Sequence, residues 1–158
     1  MKVYFRHLPI GRIGIAEENG CITNLYFEAD NVPQNVEKCE TEVIKEAFRQ
    51  LEGYLAGDLR SFSLPVAPRG SAFMSAVWKI LCSIPYGETA SYKEIAIAAG
   101  NPKAFRAVGL ANNRNPVPIF IPCHRVIGAD GKLVGYRGGL ETKKILLDLE
   151  KHHGTCFM

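Results

Sequence analysis

The 158-residue chain lacks most of what would set it apart from ordinary globular proteins. Its five cysteines, at 21, 39, 82, 123 and 156, are odd in number and form no C-x-x-C pair. That excludes a disulfide framework and a zinc module, and it fits a reducing, intracellular setting. No stretch approaches the roughly 20 apolar residues that span a bilayer. Arg6 and His7 interrupt the start before an apolar leader core can form, and Cys156 lies too near the last residue for a prenylation box. Neither G-x-G-x-x-G nor a Walker sequence occurs, so no nucleotide cofactor is expected. There is no internal repeat and no low-complexity tract. What remains is 47% hydrophobic and 22% charged, which excludes disorder and fibrous architectures.

Net charge is only +3, but it is unevenly placed. Residues 1–65 carry 7 Lys+Arg against 10 Asp+Glu, whereas residues 66–158 carry 12 against 6. The sign changes at Leu64-Pro65-Val66-Ala67-Pro68-Arg69-Gly70, whose prolines and glycine stop regular structure. Two domains are therefore expected, 1–65 and 66–158, with a polyanion as partner of the second. In the first, Val3–Phe5, Gly14–Ala16 and Ile22–Phe27 read as short strands, and Asn19-Gly20 is a hairpin signal. Apolar residues at 43, 44, 47, 48, 51, 54 and 55 predict an amphipathic helix from Thr41 to Ala56, and Ser61–Leu64 is a further strand candidate. The fold class is α+β.

In the second domain a helix is expected over Ser71–Ile84, with Phe73, Val77, Ile80 and Leu81 facing inward. Ser91-Tyr92-Lys93-Glu94 is a capping box opening a helix that stops at Gly100. Asn101 as N-cap and Pro102 as first residue predict a further helix to about Asn113. Two short helices about a glycine turn outline a helix-turn-helix, whose second helix would meet DNA. An αα-hairpin with solvated cations has the same outline. Early on the second helix stand Lys103, Arg106 and Ala107, and the two cations suit phosphate or base contact.

The most informative stretch is Asn115-Pro-Val-Pro-Ile-Phe-Ile-Pro-Cys-His-Arg-Val-Ile127. Its prolines favour extended backbone, and its apolar run leads to Cys123, flanked by His124 and Arg125. Cationic neighbours lower a thiol pKa from about 8.5 toward roughly 4–7, so Cys123 is the candidate nucleophile. Adjacent side chains on extended backbone point apart. Either the chain turns at Cys123 or a water links it to His124. An orienting acceptor for His124 is also required, and Glu150 is a candidate. It lies on a helix expected from Leu140 to about His152, with Ile145, Leu146 and Leu149 inward and Gly154 as its stop. The intervening glycine-rich stretch allows close approach of a flat ligand, and Tyr136 reads equally as a residue stacking on a base or as a core aromatic.

These segments together (SYKEIA at 91–96, GNPKAFRAVG at 100–109, RNPVPIFIP at 114–122, PCHRVI at 122–127, GYRGGLETK at 135–143) resemble the O6-alkylguanine-DNA alkyltransferases over residues 71 to about 151. The resemblance implies direct repair of alkylated guanine in double-stranded DNA. Cys123 would take the alkyl group, His124 would remove the thiol proton through a water, and Glu150 would complete the relay. Asn115 would be the hinge asparagine. Tyr92 would push the phosphate and donate to the base, and Tyr136 would line the pocket. Arg106 would fill the gap left by the flipped base. Lys103, Ala107 and Arg125 complete the expected DNA contacts. Arg137 departs from members that carry a small hydroxyl residue there, which bears on substrate width.

The target carbon lies inside a duplex, so the base must be extruded at a cost of a few kcal/mol. The thioether product has no easy hydrolysis, so one turnover per chain is expected. No cofactor and no metal are expected, and neither is a membrane partner. The protein is read as a cytoplasmic monomer. Two other readings compete: a non-catalytic alkylated-DNA-binding protein and a Cys-His hydrolase.

Overall fold

The computed structural model describes residues 1–155. The chain forms two units, Met1–Arg69 and Gly70 onward. The first unit opens with three antiparallel strands, β1 (Lys2–Leu8), β2 (Gly11–Glu18) and β3 (Cys21–Tyr26), followed by β4 (Glu37–Lys38) and helix α1 (Glu42–Leu55). The sheet order is β3-β2-β1-β4, with β4 parallel to β1. Strand β4 is two exposed residues long, so it left no apolar signal in the sequence.

The sheet buries both faces. Ile13 and Ile15 alternate with Gly14 and Ala16 along β2. On one side Val3, Ala16 and Tyr26 gather with Phe5, Val32 and Val36. Gly14 is required there, because a Cβ would lie 2.4 Å from the Phe5 ring. Helix α1 packs against β1, β2 and β3 and buries Ile44, Ala47, Phe48, Leu51 and Tyr54. Thr41 caps it by accepting from the Ile44 N–H.

Ser61–Leu64 is not a strand. A lone bridge instead pairs Val66 with Ile22, through Ile22 N to Pro65 O (2.7 Å) and Ala67 N to Ile22 O (2.8 Å). Residues 66–69 consequently lie with the first unit.

The second unit is mostly helical: α2 (Ala72–Leu81), β5 (Ala90–Ser91), α3 (Tyr92–Ala98), α4 (Phe105–Asn113), a 3-10 turn (Cys123–Arg125), β6 (Val126–Ile127) and α5 (Leu140–Thr155). The inward stripe of α2 is centred on Trp78, which donates from Nε1 to Ala111 O at 2.9 Å. Phe73, expected inside, is exposed. The capping box of α3 forms in both directions between Ser91 and Glu94. The chain then reverses through Gly100, whose φ of +88° suits a residue without Cβ.

Helix α4 starts later than expected. The Asn101 side chain accepts from Lys103 N, two residues on, and closes an Asx turn instead of capping a helix. Lys103 thus precedes α4, and Ala104 stands at the cap position with no side-chain bond. Helix α5 continues through Gly154 to Thr155 rather than stopping before it. Among the described residues no helix is long and apolar enough to cross a membrane.

Candidate active site

Two pairs of strand residues bring the motifs together. Parallel pairing of Ala90 with Val126 and Ser91 with Ile127 sets the start of α3 beside the turn that carries Cys123. The proline-rich approach to that turn is not simply extended. Ile119 adopts φ +75°, unusual for a β-branched residue, and Ile121 N donates back to Val117 O at 3.0 Å. Asn115 enforces this bend. Its Nδ2 donates to Ile121 O (2.9 Å), and its Oδ1 accepts from Val117 N (3.0 Å).

Cys123, His124 and Arg125 then wind into one 3-10 turn, so neighbouring side chains no longer point to opposite sides. The backbone turns where the sequence left a turn or a bridging water open.

Glu150 lies on the inner face of α5 and is saturated. His124 Nε2 meets its Oε2 at 2.7 Å. Arg125 reaches Oε1 through Nε (2.8 Å) and Oε2 through Nη2 (3.0 Å). Gly87 N donates to Oε1 at 3.1 Å. Burial alone would raise this carboxyl, but the hydrogen bonds and charges of His124 and Arg125 overcome it and hold the pKa at about 2. An ionised carboxylate only accepts. The Nε2 of His124 therefore carries the proton, and the Nδ1 lone pair remains as a base. Burial also pushes the His124 pKa down, against the pull of Glu150, so the ring is neutral at pH 7.

Two expectations give way here. Arg125, assigned to DNA contact, is buried. Its guanidinium is committed to Glu150 and to Ile84 O (2.7 Å), because an ionised carboxylate in this interior needs a compensating cation. Cys123 was expected to have a lowered pKa from flanking cations. Burial instead pushes its thiol up, only partly opposed by Asn115, Arg137 and Lys143. Cys123 is only 3% exposed, and the charge of Arg125 is spent on Glu150.

The remaining expected residues separate into two groups. Tyr92 donates from its hydroxyl to Val134 O at 3.2 Å, and burial raises its pKa, so it stays protonated. Tyr136 is half-buried with its hydroxyl sealed from solvent, and burial holds it well above the usual phenol range. A thiolate at Cys123 would raise both further. Lys103, Arg106 and Ala107 are all exposed at or just before the start of α4, beside an exposed Phe105.

Family comparison decides what this arrangement belongs to. The model of the 6-O-methylguanine DNA methyltransferase DNA binding domain matches residues 72–152, and that of the ribonuclease-like domain of the same proteins matches residues 1–68. The chain belongs to the 6-O-methylguanine DNA methyltransferase family. A methylated-DNA–protein-cysteine methyltransferase of Methanosarcina acetivorans is 60% identical over 152 residues, 94% of this chain and 95% of that protein. The constitutive enzyme of that name from Bacillus subtilis is 47% identical over 150 residues, 90% of this chain and 91% of its own length. Among solved structures, Mycobacterium tuberculosis OGT in complex with DNA superposes with a TM-score of 0.92 at 44% identity, covering 97% of this chain and 94% of that one.

Two residues in this methyltransferase's site escaped the sequence reading. Asn112 is buried at the end of α4 and donates to Cys123 O at 3.2 Å. Its signal was the repeat of Asn at 112 and 115 just before the proline run. Lys143 is fully buried and donates to Val126 O (2.6 Å) and Val134 O (3.0 Å). Its signal was helical spacing: if Leu146 faces inward, so do Lys143 three residues before and Glu150 four after. Ile145, chosen instead, is exposed.

Proposed function

We propose that this chain repairs double-stranded DNA by moving an alkyl group irreversibly from O6 of guanine to Cys123. The observation that carries this reading is the turn at Cys123–Arg125, which places a buried thiol next to a histidine whose far nitrogen is fixed on Glu150. His124 Nδ1 takes the thiol proton through a water, and Glu150 stabilises the cation that forms. The thiolate attacks the alkyl carbon. A sulfur–carbon bond forms as the carbon–O6 bond breaks, and the electron pair stays on guanine. Tyr92, held protonated, supplies a proton to the departing base. Tyr136 walls the pocket, and Asn115 holds the bend leading to the nucleophile. Lys103, Arg106 and Ala107 meet the duplex, with Arg106 occupying the space of the extruded nucleotide. The reading includes a monomer acting in the cytoplasm; the cysteine spacing, which forms no disulfide pattern, supports only the reducing compartment.

The test is a mass measurement. Incubation with a duplex containing O6-methylguanine should add one methyl group, located on Cys123, and leave the protein inactive. The Cys123→Ala variant should bind the same duplex and gain nothing. Binding without any mass change in the unaltered protein would favour the non-catalytic reading. Product in many-fold excess over protein would favour a hydrolase.

A further inference from the structure

The side-chain amide of Asn112 is only half satisfied. Its Nδ2 donates to Cys123 O at 3.2 Å. Its Oδ1 has no hydrogen-bond partner among the described residues and is closed off from water. The residue as a whole is 2% exposed. A buried acceptor without a donor forfeits the bonds that water would give it, and native interiors hold few such atoms. The orientation of the amide is not interchangeable. Turning it over would set its oxygen against the oxygen of Cys123 and leave the NH2 group unpaired.

Asn112 lies where three parts of the site converge. The Cys123 turn is on one side, through the bond from Nδ2. Tyr92 is on another. Its ring lies 3.9 Å from where a Cβ on Gly109 would stand, and Asn112 follows Gly109 by three residues, on the same face of α4. Burial raises the Tyr92 pKa, and a hydrogen bond with Asn112 opposes the rise. The glycine-rich loop is the third part. Val134 O holds the Tyr92 hydroxyl, and Gly135 approaches the end of α4 so closely that a Cβ there would be 3.5 Å from Asn113 Oδ1. Cys123 and Tyr92 are the groups that the alkyl-transfer reading sets on the base. A residue in contact with both stands beside the base as well.

The chemistry of the lesion narrows what can meet the unpaired oxygen. Once O6 carries an alkyl group, N1 of guanine has no hydrogen. N3 and N7 are acceptors, and N9 is bonded to the sugar. The 2-amino group is then the only N–H donor on the base.

We infer that Asn112 is a specificity-determining residue for the purine, its Oδ1 accepting from the 2-amino group of the extruded O6-alkylguanine. The free protein holds this acceptor unpaired, and the bound base completes it. Cys123 is enclosed to nearly the same degree, so the opening that admits the base to the sulfur also admits it to this oxygen. An O6-alkylated purine with hydrogen at C2 brings no donor and leaves Oδ1 stranded, which is how a site built to bond a polar group rejects an analogue lacking it.

The inference rests on the alkyl-transfer reading, and its test separates the two. Two duplexes are compared, one carrying O6-methylguanine and the other O6-methylhypoxanthine, the same base with hydrogen in place of the 2-amino group. In both, the lesion faces an abasic position, so pairing does not distinguish them. Single-turnover rate constants are measured for each. The unaltered protein should favour O6-methylguanine by about tenfold or more. Asn112→Leu keeps the approximate volume and removes the amide. Both of its rates should fall, because the bond to Cys123 O is lost, but the preference should also shrink by about fivefold or more. A purely structural role would slow both substrates alike and leave their ratio in place. An unchanged ratio in folded Asn112→Leu therefore overturns the inference. Equal rates on the two duplexes in the unaltered protein overturn it without any substitution. Absence of transfer from either duplex overturns the alkyl-transfer reading and this inference with it, whereas transfer with an unmoved preference overturns this inference alone.

Discussion

Glu150 is where the cost of burying charge is most exposed to test. It receives four donors and holds its proton only near pH 2, against 4.5 when unperturbed. The unfolded chain therefore binds more protons than the folded one below pH 4.5. Stability from this group is complete above that value and is lost as pH falls toward 2, by about 3 kcal/mol at the limit. His124 acts in the same direction from higher pH, because its folded pKa is depressed by burial below 6.5 and the unfolded chain protonates first. Urea titrations from pH 7 to pH 3 should show a steady decline. In Glu150→Gln the lower part of that decline should flatten. The variant should also lose about 3–5 kcal/mol at pH 7, since Arg125 is left buried without its partner. A pH-independent midpoint in the unaltered protein would contradict this account. From sequence, Glu150 could be named only as one candidate, because an isolated glutamate on a helix is ordinarily solvated. The arginine that neutralises it was read as a DNA contact, since sequence order shows Arg125 two residues after Cys123 but not that the turn directs it inward.

At the level of elements, the helices with strong end signals were legible and those with weak ones were not. Ser91 and Glu94 announced α3 because capping is a local interaction, complete within four residues. The start of α4 was misplaced because Asn101 had an equally local alternative, the Asx turn. Strand β4 and the pairing of β5 with β6 were invisible, being two residues each and fixed by partners far along the chain. The capping box makes a simple prediction. Ser91→Ala should cost about 1 kcal/mol in chemical denaturation, with little effect on the first unit. The exposed start of α4 makes another. Arg106→Ala should slow repair of duplex DNA by about tenfold or more while leaving reaction with the free alkylated base nearly unchanged, because only the duplex must be opened. Equal losses on both substrates would remove Arg106 from that role.

For the whole molecule, the uneven charge along the chain should appear in solution. Affinity for duplex DNA should fall steeply with added salt, and substituting Lys103 with Ala should reduce the slope of that dependence by about one. The repair reaction should yield one equivalent of product per chain and then stop, which a titration of substrate against protein would read directly. Prolines and a change of charge coincide at residues 64–70, where Val66 pairs back onto β3 and the first unit runs on to Arg69. The depth of the sulfur has one more implication. A reagent consumed by its own success must not be spent by accident. Cys123 is shielded and protonated at rest, so stray oxidants and electrophiles find little nucleophile to trap. Each copy can then wait unspoiled, and the number still active records damage met rather than time elapsed.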